Sequence, residues 1–260
     1  MISFVHMSGA GNCFLVADAQ EKQFQPDAHD IVTCIAANPR ADGRTIEGVL
    51  LLRQCTQHHV HADFYNPDGS HGMMCGNGAR CIIRFAADHG LMARQNIELH
   101  LNSMTFLCDI IEHNMVAVTF PPPQQVQHLP TGTLDGIAED VWYVNVGSDH
   151  VVVGEPLDAG RSIVSALRHH VAFPRGVNVN MVTTSDPRRI ATFERGVESV
   201  TGACGTGALS CAVVAWVQHH QQTSFTFIPP SGRPLRVDLA ILDDHITNMT
   251  LTGDAMYDNN

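Results

Sequence analysis

Met74-Cys75-Gly76-Asn77-Gly78-Ala79-Arg80-Cys81 and Ala203-Cys204-Gly205-Thr206-Gly207-Ala208-Leu209-Ser210-Cys211 share the pattern C-G-x-G-A. Each runs into an apolar stretch: Ile82-Ile83-Arg84-Phe85-Ala86-Ala87 after the first, Ala212-Val213-Val214-Ala215-Trp216-Val217 after the second. Both read as a glycine turn that opens a buried helix. The same turn, met twice in a strand-turn-helix setting, implies an internal duplication. Two equivalent α/β halves would bring two equivalent helix N-termini to one interface.

A helix N-terminus offers unpaired backbone N–H groups and the positive end of the helix dipole. Glycines let the backbone approach a ligand, so such a turn holds a carboxylate without a basic side chain. The same field lowers the pKa of a cysteine at the helix start. One such cysteine can act as a thiolate base while its counterpart is a thiol acid. Protons taken from one face of an α-carbon and returned to the other invert that centre. N–H donors on the carboxylate would stabilise the charge that develops meanwhile. Packing is the plainer reading of a buried cysteine, and it is preferred for Cys13, Cys34, Cys55, Cys81, Cys108 and Cys211. Zinc is disfavoured, because the motif spacings are C-x5-C and C-x6-C rather than C-x2-C.

Outward from the motifs, Gly48-Val49-Leu50-Leu51-Leu52, Ile97–Leu101, Met115–Phe120 and Phe225-Thr226-Phe227-Ile228 read as strands. Pro121-Pro122-Pro123 breaks regular structure and is the candidate hinge between the halves.

The 260 residues are 44% hydrophobic, enough for one large core or two smaller ones. A net charge of −11 does not attract a phosphate backbone, so nucleic acid is not an expected partner. No apolar run approaches the roughly 18 residues that span a bilayer, and the N-terminus does not read as a signal peptide. A cytoplasmic protein with eight reduced cysteines is expected. Lys22 is the only lysine, in a stretch that reads as a solvated loop. That leaves almost no candidate for a pyridoxal phosphate Schiff base, and no P-loop pattern is present. The expectation is chemistry with no cofactor and no metal.

With these residues in view, the chain resembles the diaminopimelate epimerase family over nearly its whole length. His6-Met7-Ser8-Gly9-Ala10-Gly11-Asn12 resembles the family's N-terminal motif. Tyr65-Asn66-Pro67-Asp68-Gly69-Ser70, followed by the Cys75 turn, resembles its first signature. Asn145-Val146-Gly147-Ser148-Asp149-His150 and Val177-Asn178 resemble central segments. Phe193-Glu194-Arg195-Gly196, followed by the Cys204 turn, resembles the second signature. The resemblance implies an α/β fold of two pseudo-symmetric domains, each a curved, mostly antiparallel sheet around a central helix, with the active site in the cleft between them. The domains would be 1–120 plus 249–260, and 121–248, the strand Met249-Thr250-Leu251-Thr252-Gly253 closing the first. It implies a homodimer that interconverts LL- and meso-diaminopimelate for lysine and peptidoglycan precursors. Cys75 and Cys204 would be acid and base, with His150 and Glu194 setting their protonation. Backbone N–H groups of Gly76, Asn77, Gly205 and Thr206 would hold the reacting carboxylate. Asn12, Asn66, Asn178, Glu194 and Arg195 would bind the rest of the substrate, Arg195 at the distal carboxylate and Glu194 at a distal ammonium.

The chain departs from the family pattern at Cys13, Ser148, Asp149 and Val200. Asp149 adds an acid beside the wall expected to hold the distal carboxylate. A substrate lacking that carboxylate would otherwise leave Arg195 unpaired, a penalty on the order of 10³-fold in specificity. The alternative is the same chemistry on another amino acid, such as histidine. The doublets His58-His59, His169-His170 and His219-His220 read as surface features.

Overall fold

An unbroken apolar run such as Val49-Leu50-Leu51-Leu52 makes a strand only where both faces are covered. The computed structural model describes residues 2–21, 24–72, 75–90, 92–112, 114–158, 160 and 162–258. Lys22 and Met74 lie outside the described residues. The chain divides into two units, Met1–Thr119 with Thr252–Asn260, and Phe120–Leu251.

The first unit runs β1 (Val5–Gly9), β2 (Asn12–Asp18), α1 (Ala28–Ala37), β3 (Ile46–Cys55), β4 (His59–Tyr65), α2 (Gly76–His89), β5 (Ile97–Leu101), β6 (Met104–Glu112) and β7 (Met115–Phe120). The pairs β1–β2, β3–β4, β5–β6 and β6–β7 are antiparallel, and β2–β3 and β4–β5 are parallel. Six strands, β1 to β6, all touch α2, so the sheet curls around that helix. Cover on every side explains why α2 is buried continuously from Gly76 to Ala86. Alternation along β2 and β3 sends Leu15, Ala17, Val49 and Leu51 to the other face, where Ile31 of α1 packs.

The second unit runs β8 (Gln125–Leu129), β9 (Val141–Asn145), β10 (Asp149–Val153), α3 (Ser162–Arg168), β11 (Asn178–Val182), β12 (Arg188–Glu194), β13 (Ser199–Val200), α4 (Gly205–His219), β14 (Ser224–Ile228), β15 (Leu235–Leu242) and β16 (His245–Asp254). Its pairs β8–β9, β9–β10, β11–β12, β12–β13 and β14–β15 are antiparallel, and β10–β11 and β12–β14 are parallel. From β9 onward, the short β13 aside, this is the alternation of the first unit, with α3 in the place of α1 and α4 in the place of α2. The central helix α4 rests on β9, β10, β11, β14 and β15. Val151, Val153, Val179 and Met181 turn the other way, onto Ile163, Val164 and Leu167 of α3.

The duplication read from the cysteine turns is therefore a duplication of the whole unit. Each half is a mostly antiparallel curved sheet around a central helix, as the family resemblance implies. Ile97–Leu101 and Met115–Phe120 are β5 and β7, and the other two expected strands fall within β3 and β14. Strand β16 carries the chain back to the first unit, where β17 (Met256–Tyr257) pairs with β1. All eight cysteines are free thiols. Cys81 and Cys211 are buried in the central helices, as expected, and burial pushes the Cys211 thiol well up. The histidine doublets are exposed, apart from a half-buried His170.

Candidate active site

Each central helix starts in the same way. Cys75 is the N-cap of α2, with extended backbone (φ −132°, ψ 99°), and its Sγ accepts the Gly78 N–H at 3.3 Å. Cys204 is the N-cap of α4 (φ −116°, ψ 111°), and its Sγ accepts the Gly207 N–H at 3.4 Å. A thiol here takes the position that a serine or aspartate usually fills, where an acceptor satisfies an orphan N–H. Both sulfurs therefore face the positive end of a helix dipole, which favours the thiolate. Both cysteines are half-buried, within reach of solvent or a small molecule.

Around Cys75, Gly76 and Asn77 form the buried first turn of α2. The Asn77 side chain is tied down by Arg80, whose Nη2 donates to its Oδ1 at 2.7 Å. Asn12 begins β2, opposite Gly9 across the hairpin. Gly9 lies so close to the helix start that a Cβ there would stand 2.7 Å from the Asn77 carbonyl oxygen. Asn66 follows β4 in a tight turn, its Nδ2 donating to Ser70 Oγ at 2.9 Å.

Around Cys204 the second unit gathers a connected set. His150 is fully buried on β10, and burial pushes its imidazole down to about 3, so it is neutral near pH 7. The Asn180 amide is oriented by Val151 O at 2.8 Å and Thr192 Oγ1 at 2.9 Å, which directs its Nδ2 to His150 Nδ1 at 3.1 Å. With Nδ1 accepting, the ring proton sits on Nε2. It points to Ser148 Oγ at 2.9 Å and Thr206 Oγ1 at 3.0 Å. Thr206 Oγ1 is 3.5 Å from Cys204 Sγ, which completes a line from Asn180 through His150 and Thr206 to the sulfur. Glu194 ends β12 with its carboxyl bonded by Thr201 and Cys204. Burial pushes that carboxyl up, against the lowering effect of those two bonds.

Asn178 ties β10 to β12: its Nδ2 donates to Asp149 O at 3.0 Å and its Oδ1 accepts the Arg195 N–H at 2.9 Å. The Arg195 side chain donates from Nη1 to the carbonyls of Arg175 (3.1 Å) and Gly176 (3.2 Å), and lies 3.6 Å from Asp149 Oδ2. Glu194 and Arg195 are consecutive, yet one serves Cys204 and the other Asp149. Sequence reasoning did not find Asn180, Thr201 or the hydroxyl role of Thr206. Asn180 carried a signal, since it follows Asn178 by two in a strand and shares its face.

Elsewhere, ligand atoms of His59, Glu98 and His100 lie within 4.8 Å of one another on β4 and β5, the one cluster among the described residues that could hold a metal. The 2.6 Å contact between His100 Nε2 and Glu98 is already a satisfied hydrogen bond. Among the described residues, no helix is long and apolar enough to cross a membrane.

Fold and site together define a duplicated α/β protein in which each central helix is capped by a thiol. Solved structures with this fold include a phenazine biosynthesis PhzF-family protein from Bacillus anthracis, at TM-score 0.74 and 10% identity over 98% of this chain and 96% of that one. A hydroxyproline epimerase from Agrobacterium vitis matches at TM-score 0.65 and 16% identity, over 99% and 91%. In sequence, the diaminopimelate epimerase family profile matches residues 4–123 and 142–255. Proteins named diaminopimelate epimerase are 29% identical in Aquifex aeolicus, over 97% of this chain and 94% of that one, and 31% identical in Methanocella arvoryzae, over 82% and 81%. The chain belongs to the diaminopimelate epimerase family, a family of isomerases.

Proposed function

We propose that the chain is a cofactor-independent epimerase that interconverts LL- and meso-diaminopimelate, with Cys75 and Cys204 as its two proton-transfer groups. The observation that carries this reading is the repeated thiol N-cap: two sulfurs, on equivalent helices, each receiving an N–H three residues on. In the forward direction one thiolate takes the α-proton. The C–H electron pair passes into the carboxylate, which first-turn N–H groups of Gly76, Asn77, Gly205 and Thr206 hold. The other thiol then gives its proton to the opposite face of the α-carbon. The two sulfurs exchange protonation states, and the reverse reaction restores them.

Neutral His150 fits a positioning role: it donates to Thr206, which leaves the threonine hydroxyl proton for the Cys204 sulfur. Glu194 accepts from Cys204 while that group is a thiol, and releases it when the sulfur is charged. In this reading Asn12, Asn66 and Asn178 bind the substrate, and the enzyme works as a homodimer of the cytoplasm that supplies lysine and peptidoglycan precursors. A second reading, the same chemistry on another amino acid such as histidine, is favoured by the ion pair between Asp149 and Arg195.

The test is deuterium incorporation at the α-carbon in heavy water, with chiral analysis of the product. Cys75→Ala and Cys204→Ala should each lose at least about 10²-fold in turnover, the scale of one general acid or base. Cys81→Ala should keep its turnover. A Cys204→Ala protein that inverts diaminopimelate at more than about a tenth of the wild-type rate would sink the two-thiol assignment.

A further inference from the structure

Arg195 is the residue expected to meet a substrate's distal carboxylate, and the chain already supplies a carboxylate to it. Asp149 is buried at the start of β10. Its Oδ1 accepts the Tyr143 hydroxyl at 2.6 Å and Arg175 Nη2 at 3.1 Å. Its Oδ2 stands 3.0 Å from Arg175 Nη2 and 3.6 Å from Arg195 Nη1. The same Arg195 nitrogen is also committed to two main-chain carbonyls. An arginine in a substrate site discriminates strongly for a carboxylate when its absence leaves the guanidinium desolvated and unpaired. Here that condition is not met, because Asp149 keeps the guanidinium paired with no substrate present. A distal carboxylate would instead add a second negative charge beside Asp149, which reduces the gain from binding it.

Resting on the epimerase reading above, we propose that Asp149 is a specificity-determining residue that relaxes selection at the distal end. The site then accepts α-amino acids without a distal carboxylate alongside diaminopimelate. Asp149 acts through Arg195 and Arg175 and touches no reacting atom. Lysine is the sharpest probe, since it is diaminopimelate with the distal carboxylate replaced by hydrogen.

The experiment measures kcat/KM for α-hydrogen exchange on LL-diaminopimelate and L-lysine, with wild type, Asp149→Asn and Arg195→Gln. Wild type should treat the two within about tenfold of each other, far below the ~10³-fold of an unpaired charge. Asp149→Asn, which keeps an acceptor for Tyr143 but removes the charge, should move the ratio toward diaminopimelate by at least about tenfold. Arg195→Gln should affect both substrates alike, and this arm decides the matter should Asp149→Asn not fold. A wild-type preference for diaminopimelate of about 10³-fold, a ratio unmoved in folded Asp149→Asn, or a loss confined to diaminopimelate in Arg195→Gln would overturn the proposal. Exchange on diaminopimelate alone would overturn this inference and leave the epimerase reading standing. Exchange on neither substrate would overturn both.

Discussion

His150 shows what burial does to a single residue. Its folded pKa is pushed down to about 3 from an ordinary 6.5, chiefly because charge is unfavourable where no water reaches. The unfolded chain takes up a proton below about pH 6.5, and the folded chain refuses it until about pH 3. The group's contribution to stability is therefore full above 6.5 and is lost as pH falls through that window, by up to roughly 1.4 kcal/mol per pH unit. Glu194 has the opposite sign. Its folded pKa is raised, so its contribution is present at low pH and is lost as pH rises from its ordinary 4.5 through the raised value. Urea midpoints across this pH range should fall more steeply with acid in wild type than in His150→Asn, and the imidazole signals of His150 should not titrate between about pH 5 and 8. An NMR titration of His150 near 6.5 would contradict its burial as a neutral ring. Among 16 histidines nothing in the local sequence singled this one out. Family resemblance picked it, because its partners Thr206 and Asn180 are remote in sequence and meet it only through the parallel pairing of β10 with β11 and the packing of α4.

The helix starts were legible because their requirements are local: a cap acceptor, a glycine three residues on, and an apolar helix behind. The strand order was not, because it depends on pairings between segments far apart, such as β12 beside β14. Nor could sequence show that the two copies differ in space. At Gly78 of α2 a Cβ would meet only ordinary contacts, none nearer than 3.5 Å. At the equivalent Gly207 of α4 it would stand 2.4 Å from Asn180 Oδ1 and 2.7 Å from Thr192 Oγ1. Those atoms belong to the set that orients His150, so in the second unit glycine makes room for a polar network. Gly78→Ala should fold and gain up to about 1 kcal/mol from helix propensity. Gly207→Ala should lose about 1–3 kcal/mol by overpacking, and turnover should fall as Asn180 is displaced. Urea denaturation of the pair, with turnover measured alongside, checks both. Equal effects at the two positions would mean that the helix starts are equivalent after all.

At the scale of the whole chain, the second unit is continuous while the first is completed only by residues from Thr252 onward. That return is fastened by polar groups within the first unit. Asp254 accepts the Ala10 N–H at 2.8 Å, and its carbonyl accepts the Nε of Arg80, a fully buried arginine in α2, at 3.1 Å. Asp258 accepts Ser8 Oγ at 2.8 Å and pairs with buried Arg40 at 2.7 Å. Removing one partner of a buried charge costs about 3–5 kcal/mol, and a domain has only about 5–15 kcal/mol in all. A chain ending at Leu251 would strip acceptors from both arginines and the β17 partner from β1 at once. Its first unit should therefore be unfolded, while the second, with its own core around α4, keeps its structure. Hydrogen exchange would read this directly: amides of α4 protected as in the full chain, amides of α2 exchanging freely. Should α2 stay protected in the shortened chain, the C-terminal return would be a covering for the first unit rather than part of what folds it. Activity alone would not distinguish these outcomes, because the proposed two-thiol chemistry would need both Cys75 at an intact helix start and the polar groups around Asn12.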